Sequence, residues 1–225
     1  DVPGALIGGR DAIGEQEGYT GAWVMATLVG GLLGPEVFFQ MRGGEVPINA
    51  PEWVTAYEAY RQLYDLGLTN PNAGSTPSGE GQLMFTQGDS AMWIQGGWAN
   101  KDIVNVFGEN AGLFQIPTLA ASPYPGLLAG GPNISLAVTA YSQHKPEAVE
   151  FIKFLLRPEI LDLYTALSQG EPSNHLQADP TVLTNPLLQA QAEQILQGNT
   201  VYPFDNIMPG ELNSMFYRLN AAVFI

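Results

Sequence analysis

The chain has 225 residues, 45% hydrophobic and only 13% charged, enough apolar material for a sizeable core without a disulfide or metal staple. Eight Lys and Arg against 22 Asp and Glu leave a formal net charge of −14, and no basic cluster is present to neutralise phosphate, which argues against nucleic-acid and direct lipid binding. The absence of Cys removes disulfide frameworks, thiolate metal sites and cysteine nucleophiles.

In chain order, the opening Asp1 to Gly18 is Gly-rich and polar, with a short strand expected at Ala5 to Ile7. The first residues, Asp1-Val2-Pro3, carry no initiator Met and no signal peptide. They read as the start of a processed product or of the later part of something longer. A helix is expected from about Tyr19 to Gly30, closed by Gly30-Gly31. The apolar run Ala22 to Leu33 is shorter than the roughly 18 residues of a membrane span. Phe38 to Val46 reads as a hairpin around Arg42-Gly43-Gly44. The next helix has Asn49 as cap, Pro51 in its first turn and Glu52 at the capping-box position. Trp53, Tyr57, Tyr60 and Tyr64 follow at helical spacing, and such a stripe is more often core than site.

A Gly/Ser/Pro-rich loop, Pro71 to Gly81, leads to a short helix around Gln82 to Gln87. Ser90 to Gln95 is expected as a buried strand holding Trp93, and Gly96-Gly97-Trp98 opens a helix to about Val106. Gly112 to Ile116 and Ile134 to Ala140 read as strands, with a linker over Thr118 to Gly131. Helices are expected from His144 to Leu156, from Pro158 to Leu167, from about Pro186 to Leu196 and from about Pro209 onward. Strands interleaved with helices make the fold class α/β.

Catalytic patterns are scarce. The chain has no G-x-S-x-G elbow, phosphate loop, H-E-x-x-H or EF-hand loop. Its two histidines read as a helix-start cap residue (His144) and a loop residue (His175). Four Trp and nine Tyr in a chain poor in charge suit a neutral polyhydroxylated ligand, because the C–H face of a sugar ring packs on a flat π-surface while its edge takes polar contacts. Trp98 stands out: it follows Gly96-Gly97 between a strand end and a helix start, where clefts of α/β proteins open.

The segment Phe85-Thr86-Gln87-Gly88-Asp89-Ser90-Ala91-Met92-Trp93-Ile94-Gln95-Gly96-Gly97-Trp98 resembles the F-x-x-G-x-[AS]-A-M-x-x-x-G-x-W signature of the family 1 extracellular solute-binding proteins, the sugar-binding receptors of ABC importers. Further similarities stand in order: Ile48 to Glu52, Gly130-Gly131, Lys145 to Ile152, Pro158-Glu159 and Gly170-Glu171-Pro172. Together they extend the likeness over nearly the whole chain. Family members are typically far longer, with an additional N-terminal stretch that supplies the first part of the N-lobe.

The resemblance implies a two-lobe periplasmic-binding-protein type II architecture, here mainly the C-lobe plus part of the N-lobe. By this reading 1–117 and 174–225 form the C-lobe and 118–173 a partial N-lobe, with hinge crossings near 118–130 and 173. The implied ligand-binding residues are Trp98, Tyr19, Trp23, Gly130, Gly131 and Glu171, with Phe216 and Tyr217 expected chiefly as core. The implied function is capture of a sugar or oligosaccharide and delivery to the membrane permease subunits of the importer. It would be performed by a monomer without cofactor, metal or catalysis, in the periplasm or outside the cell, with or without a lipid anchor. From another class, a secreted carbohydrate-active enzyme would need two carboxylates about 5–10 Å apart across a cleft, and 22 acidic residues single out no such pair.

Overall fold

A computed structural model of the chain describes residues 11–131, 136–173, 175, 177–197 and 199–225. The expected strand at Ala5 to Ile7 lies outside them, as do the first two residues of the one expected at Ile134 to Ala140. The elements in chain order are β1 (Asp11–Ala12), α1 (Thr20–Leu33), α2 (Val37–Gly43), α3 (Glu52–Asp65), α4 (Ser78–Thr86), β2 (Met92–Trp93), α5 (Asn100–Phe107), β3 (Leu128–Ala129), α6 (Lys145–Leu155), α7 (Pro158–Ser168), α8 (Pro186–Leu196), β4 (Thr200–Val201) and α9 (Gly210–Ala222). The class is α/β, with helices predominating and two short parallel ladders, β1 with β2 and β3 with β4. No single helix among the described residues is long and apolar enough to cross a membrane.

Two compact units emerge. The first contains the described residues up to Gln95, Gln115–Gly131 and Asn199–Ile225; the second contains Gly96–Phe114 and the described residues of Pro132–Gly198. These borders and the lobe borders expected from the resemblance fall at different residues. In particular, α8 shares a unit with α6 and α7.

In the first unit α1 is the axis. It is apolar all round, and eleven of its fourteen residues are buried, as a helix surrounded by other elements must be. Gly30 and Gly31 do not end it. They lie inside its last turn, where the chain packs closely against them: a Cβ on Gly30 would lie 2.9 Å from Val201 Cγ2, and one on Gly31 3.0 Å from Ser122 Oγ. The helix stops at Gly34, whose N–H donates to the Gly30 carbonyl at 2.7 Å. Where a hairpin was expected, α2 forms instead. Gly44 adopts φ 77° and closes that helix as a left-handed C-terminal residue, a role that resembles a turn in sequence.

The α3 stripe is core, as its spacing implies, with Trp53 and Tyr60 buried. The expected Asn49 capping box is not made: the residue preceding the helix is Pro51, without a side-chain cap. Phe38, Trp53, Phe204 and Phe216 join in one aromatic cluster, with ring centroids 4.6–5.9 Å apart. Phe216 is therefore core, and Tyr217 donates to Asp205 Oδ2 at 2.7 Å. The strand expected over Ser90 to Gln95 contracts to β2. Its Trp93 is half-buried rather than buried and lies 5.8 Å from Phe85, ring to ring. Gly112 to Ile116 and residues 136–139 form no strand.

The second unit is held more by polar groups. Asn185 caps α8 by accepting from the N–H groups of Leu187 (2.9 Å) and Leu188 (3.2 Å), and its amide donates to the Asn100 carbonyl. Gln169 adopts φ 50° at the end of α7. Its amide nitrogen donates to Val182 O at 2.7 Å, and its oxygen accepts from Thr184 N and Asn185 N, each at 2.9 Å. That one side chain ties 182–185, and so the start of α8, to α7.

Candidate functional site

The signature segment ends where the second unit begins, and the backbone there is shaped by glycine. Gly96 is extended, Gly97–Ala99 form a 3-10 turn, and α5 follows. Trp98 sits in that turn and remains 45% exposed. Its six-membered ring lies over Gly96 so closely that a Cβ there would strike it. On the adjoining side a Cβ at Gly97 would strike the Gln191 amide, and one at Gly170 would lie 3.2 Å from Trp98 Cα. Gln191 is itself held, because Asn100 Nδ2 donates to its Oε1 at 2.9 Å. Gly96 therefore lets the indole lie against the backbone, Gly97 and Gly170 let the neighbouring chain approach the turn that carries it, and nearly half of Trp98 stays open to solvent. A large aromatic so fixed and so exposed loses little conformational freedom on meeting a flat apolar ligand face.

Glu171 lies beside this cradle, next to Gly170. Its carbonyl accepts from the Thr165 hydroxyl at 3.1 Å, and the residue is half-buried. Trp98 and the Gly170-Glu171 segment are thus brought together within the second unit. The other four candidates belong to the first. Tyr19 immediately precedes α1 and Trp23 follows one turn on. Both are half-buried, and their rings meet edge to face at 5.4 Å. Gly130 continues the β3–β4 ladder by donating to Val201 O at 3.0 Å. Gly131 has φ 149°, and a Cβ there would strike the Tyr202 ring; this is the close backbone approach that glycine permits.

Two groups near these candidates had no local signature. Glu15 is fully buried under the first turn of α1, with both carboxyl oxygens facing Gly21 N–H at 2.8 and 3.0 Å. Burial pushes its carboxyl up to about 8, against the lowering effect of that N–H and of the Tyr60 and Thr20 hydroxyls. His175, expected as a surface loop residue, is instead largely covered: its Nε2 stands 2.9 Å from Asp162 Oδ1. The Ser173 hydroxyl donates to that same oxygen at 2.7 Å. Ser173 first and His175 second hold the Asp162 carboxyl below its ordinary range. With the serine committed to the acid rather than to the imidazole, this trio is not arranged as a nucleophile–base–acid relay.

Comparison with known proteins agrees with the signature. Residues 9–161 match the family described as bacterial extracellular solute-binding protein. No curated protein matches the chain by sequence. Among solved structures, a chitin oligosaccharide binding protein superposes with a TM-score of 0.81 at 20% identity, over 96% of this chain and 55% of its own. A structure from work on xylan utilization by the thermophilic bacterium Caldanaerobius polysaccharolyticus gives 0.78 at 20% identity, over 96% and 56%. A probable secreted solute-binding lipoprotein from Streptomyces coelicolor gives 0.69 at 17%, over 96% and 55%. The chain therefore spans little more than half the length of the structures it resembles. With two thirds of its residues inside the family match and its α/β fold shared with these structures, the chain belongs to the bacterial extracellular solute-binding protein family.

Proposed function

We propose that the full-length protein is the extracytoplasmic receptor of an ABC importer, that its ligand is a sugar or oligosaccharide, and that it binds without catalysing a reaction. Trp98 carries the reading. A half-exposed indole lying over Gly96 is an apolar platform for an uncharged ring, and Glu171, which follows Gly170 in the chain, can accept from hydroxyl groups. Tyr19, just before α1, and Trp23, in its first turn, are the further aromatic residues assigned to ligand contact. The family match and the carbohydrate context of two fold relatives support the same ligand class.

Closure of two lobes around the ligand would couple binding to delivery, since a ligand that contacts both lobes shifts the population toward the closed form by its differential affinity. The membrane permease subunits would read that closed form. We place the hinge crossings where the chain passes between its compact units, near residues 95, 114, 131 and 198.

A thermal-shift panel of glucose, maltose, xylotriose and diacetylchitobiose on the full-length protein tests this, with a chromogenic glycoside as a turnover control. Bound ligand at a hundredfold its dissociation constant adds about 2.7 kcal/mol of apparent stability. A rise in melting temperature with at least one sugar and no turnover is expected. No shift with any sugar, or hydrolysis of the glycoside, would contradict the proposal.

A further inference from the structure

Helix α1 begins without a cap of its own. Tyr19 precedes it in helical conformation and offers no side-chain acceptor to the free N–H groups of the first turn. The acceptor comes from four residues upstream, as Glu15 presents both carboxyl oxygens to Gly21 N–H. Gly21 is what admits them: a Cβ there would lie 2.7 Å from Glu15 Oε1 and 2.6 Å from Asn220 Cγ. The Glu15 backbone is pinned in turn, its N–H donating to Ala73 O at 3.1 Å.

Among the described residues, the surroundings of this carboxyl contain no cation. From α3, Tyr60 donates to Oε2 at 3.4 Å, and the Tyr57 hydroxyl stands nearby. From α9 comes the neutral Asn220, which accepts from Tyr57 at 2.9 Å and donates to Gly18 O at 2.7 Å. The remaining charged neighbour, Glu17, is of like sign. The Gly21 N–H and the hydroxyl donors favour the ion, but burial with no counter-charge among the described residues disfavours it more strongly and leaves the carboxyl better accommodated as a neutral group.

We propose that Glu15 is a proton-sensitive positioning residue, whose charge state sets how firmly the first turn of α1 holds Tyr19 and Trp23 in the ligand-binding wall. This rests on the reading of those two aromatics as ligand contacts. The direction follows from linkage. In the intact turn the carboxyl holds its proton up to about 8, whereas its ordinary value is 4.5. Between these values the intact turn binds a proton that the opened turn releases, so the turn loosens as pH rises and levels off above about 8.

Amide hydrogen exchange on the full chain from pH 5 to 9, corrected for intrinsic rates, tests it in wild type and Glu15→Gln. Protection of the Gly21 to Trp23 amides in wild type should fall by up to about tenfold per pH unit between the two values. In the variant it should be flat. A flat wild-type profile, or the same slope in both proteins, would overturn the proposal, and the wild-type profile decides alone if the variant does not fold. In a second arm, full-length protein is titrated calorimetrically with xylotriose and with diacetylchitobiose at pH 5.5 and 8.5. Weaker binding at the higher pH in wild type, absent in Glu15→Gln, is expected, and equal pH dependence in both would overturn the link to the ligand wall. If neither sugar binds at either pH, the sugar-binding reading is what fails, and the amide profile still decides the role of Glu15.

Discussion

The two compact units bury different chemistry. In the first, α1 is enclosed on almost every side, and Phe38, Tyr60, Val29 and Met25 have no exposed surface. In the second, the buried apolar side chains among the described residues are Ala99, Leu187 and Leu188, alongside the buried polar Asn100, Thr165, Gln169 and Asn185. Helix α6 buries none of its residues and α7 only Thr165, although Phe151, Phe154, Leu163, Tyr164 and Leu167 stand exposed on them. The contrast separates two things that an amphipathic pattern confounds. Periodicity decides which residues share a face, but packing decides whether that face is covered. Among the described residues, the first unit buries chiefly apolar side chains, whereas the second buries at least as many polar as apolar ones.

Substitutions can break that contrast. The largest effect is expected for Phe38→Ala, which removes a fully buried ring packed on Trp53 and Phe204. It should cost about 3–5 kcal/mol in denaturant titration. Next comes Gln169→Leu in the second unit, which leaves the Thr184 and Asn185 N–H groups without their acceptor. The expected loss is about 1–3 kcal/mol, with faster amide exchange over 182–188 and little change in α1. Smallest is Phe151→Ser on the open face of α6, where a residue 60% exposed should shift stability by no more than about 0.5 kcal/mol. A Phe151→Ser effect as large as that of Phe38→Ala would show that the α6 face is covered in solution and that the contrast does not hold.

Legibility in the sequence follows the same division. Helices α3, α6, α7, α8 and α9 could be read because their apolar spacing and their prolines act locally. Asn185-Pro186 at the start of α8 is the clearest case, since the residues that write the cap also make it. Where a signal has two physical meanings, reading failed. Gly30-Gly31 looks like a stop and serves as a close-packing surface, while Gly43-Gly44 looks like a hairpin turn and ends a helix. The strands shrink to two-residue ladders, because β-branched and apolar runs set a propensity that pairing must still realise. For the candidate site, Gly96-Gly97-Trp98 was visible as a strand-to-helix transition with an aromatic at its tip. The part played by Gly170 was not, since it depends on α7 ending beside Trp98. Glu15 was invisible for the same reason: nothing near it in sequence announces that Tyr60, 45 positions away, will close over its carboxyl.

The most direct test of the account is calorimetric titration of the full-length protein and its Trp98→Ala variant with the oligosaccharide that most stabilises the wild type. Removing the indole should weaken binding by about 1–3 kcal/mol, the scale of a buried large side chain, while the melting temperature of the unliganded variant changes little. Equal affinity in the two proteins would contradict the account, because Trp98 would then be an exposed aromatic with no part in the site.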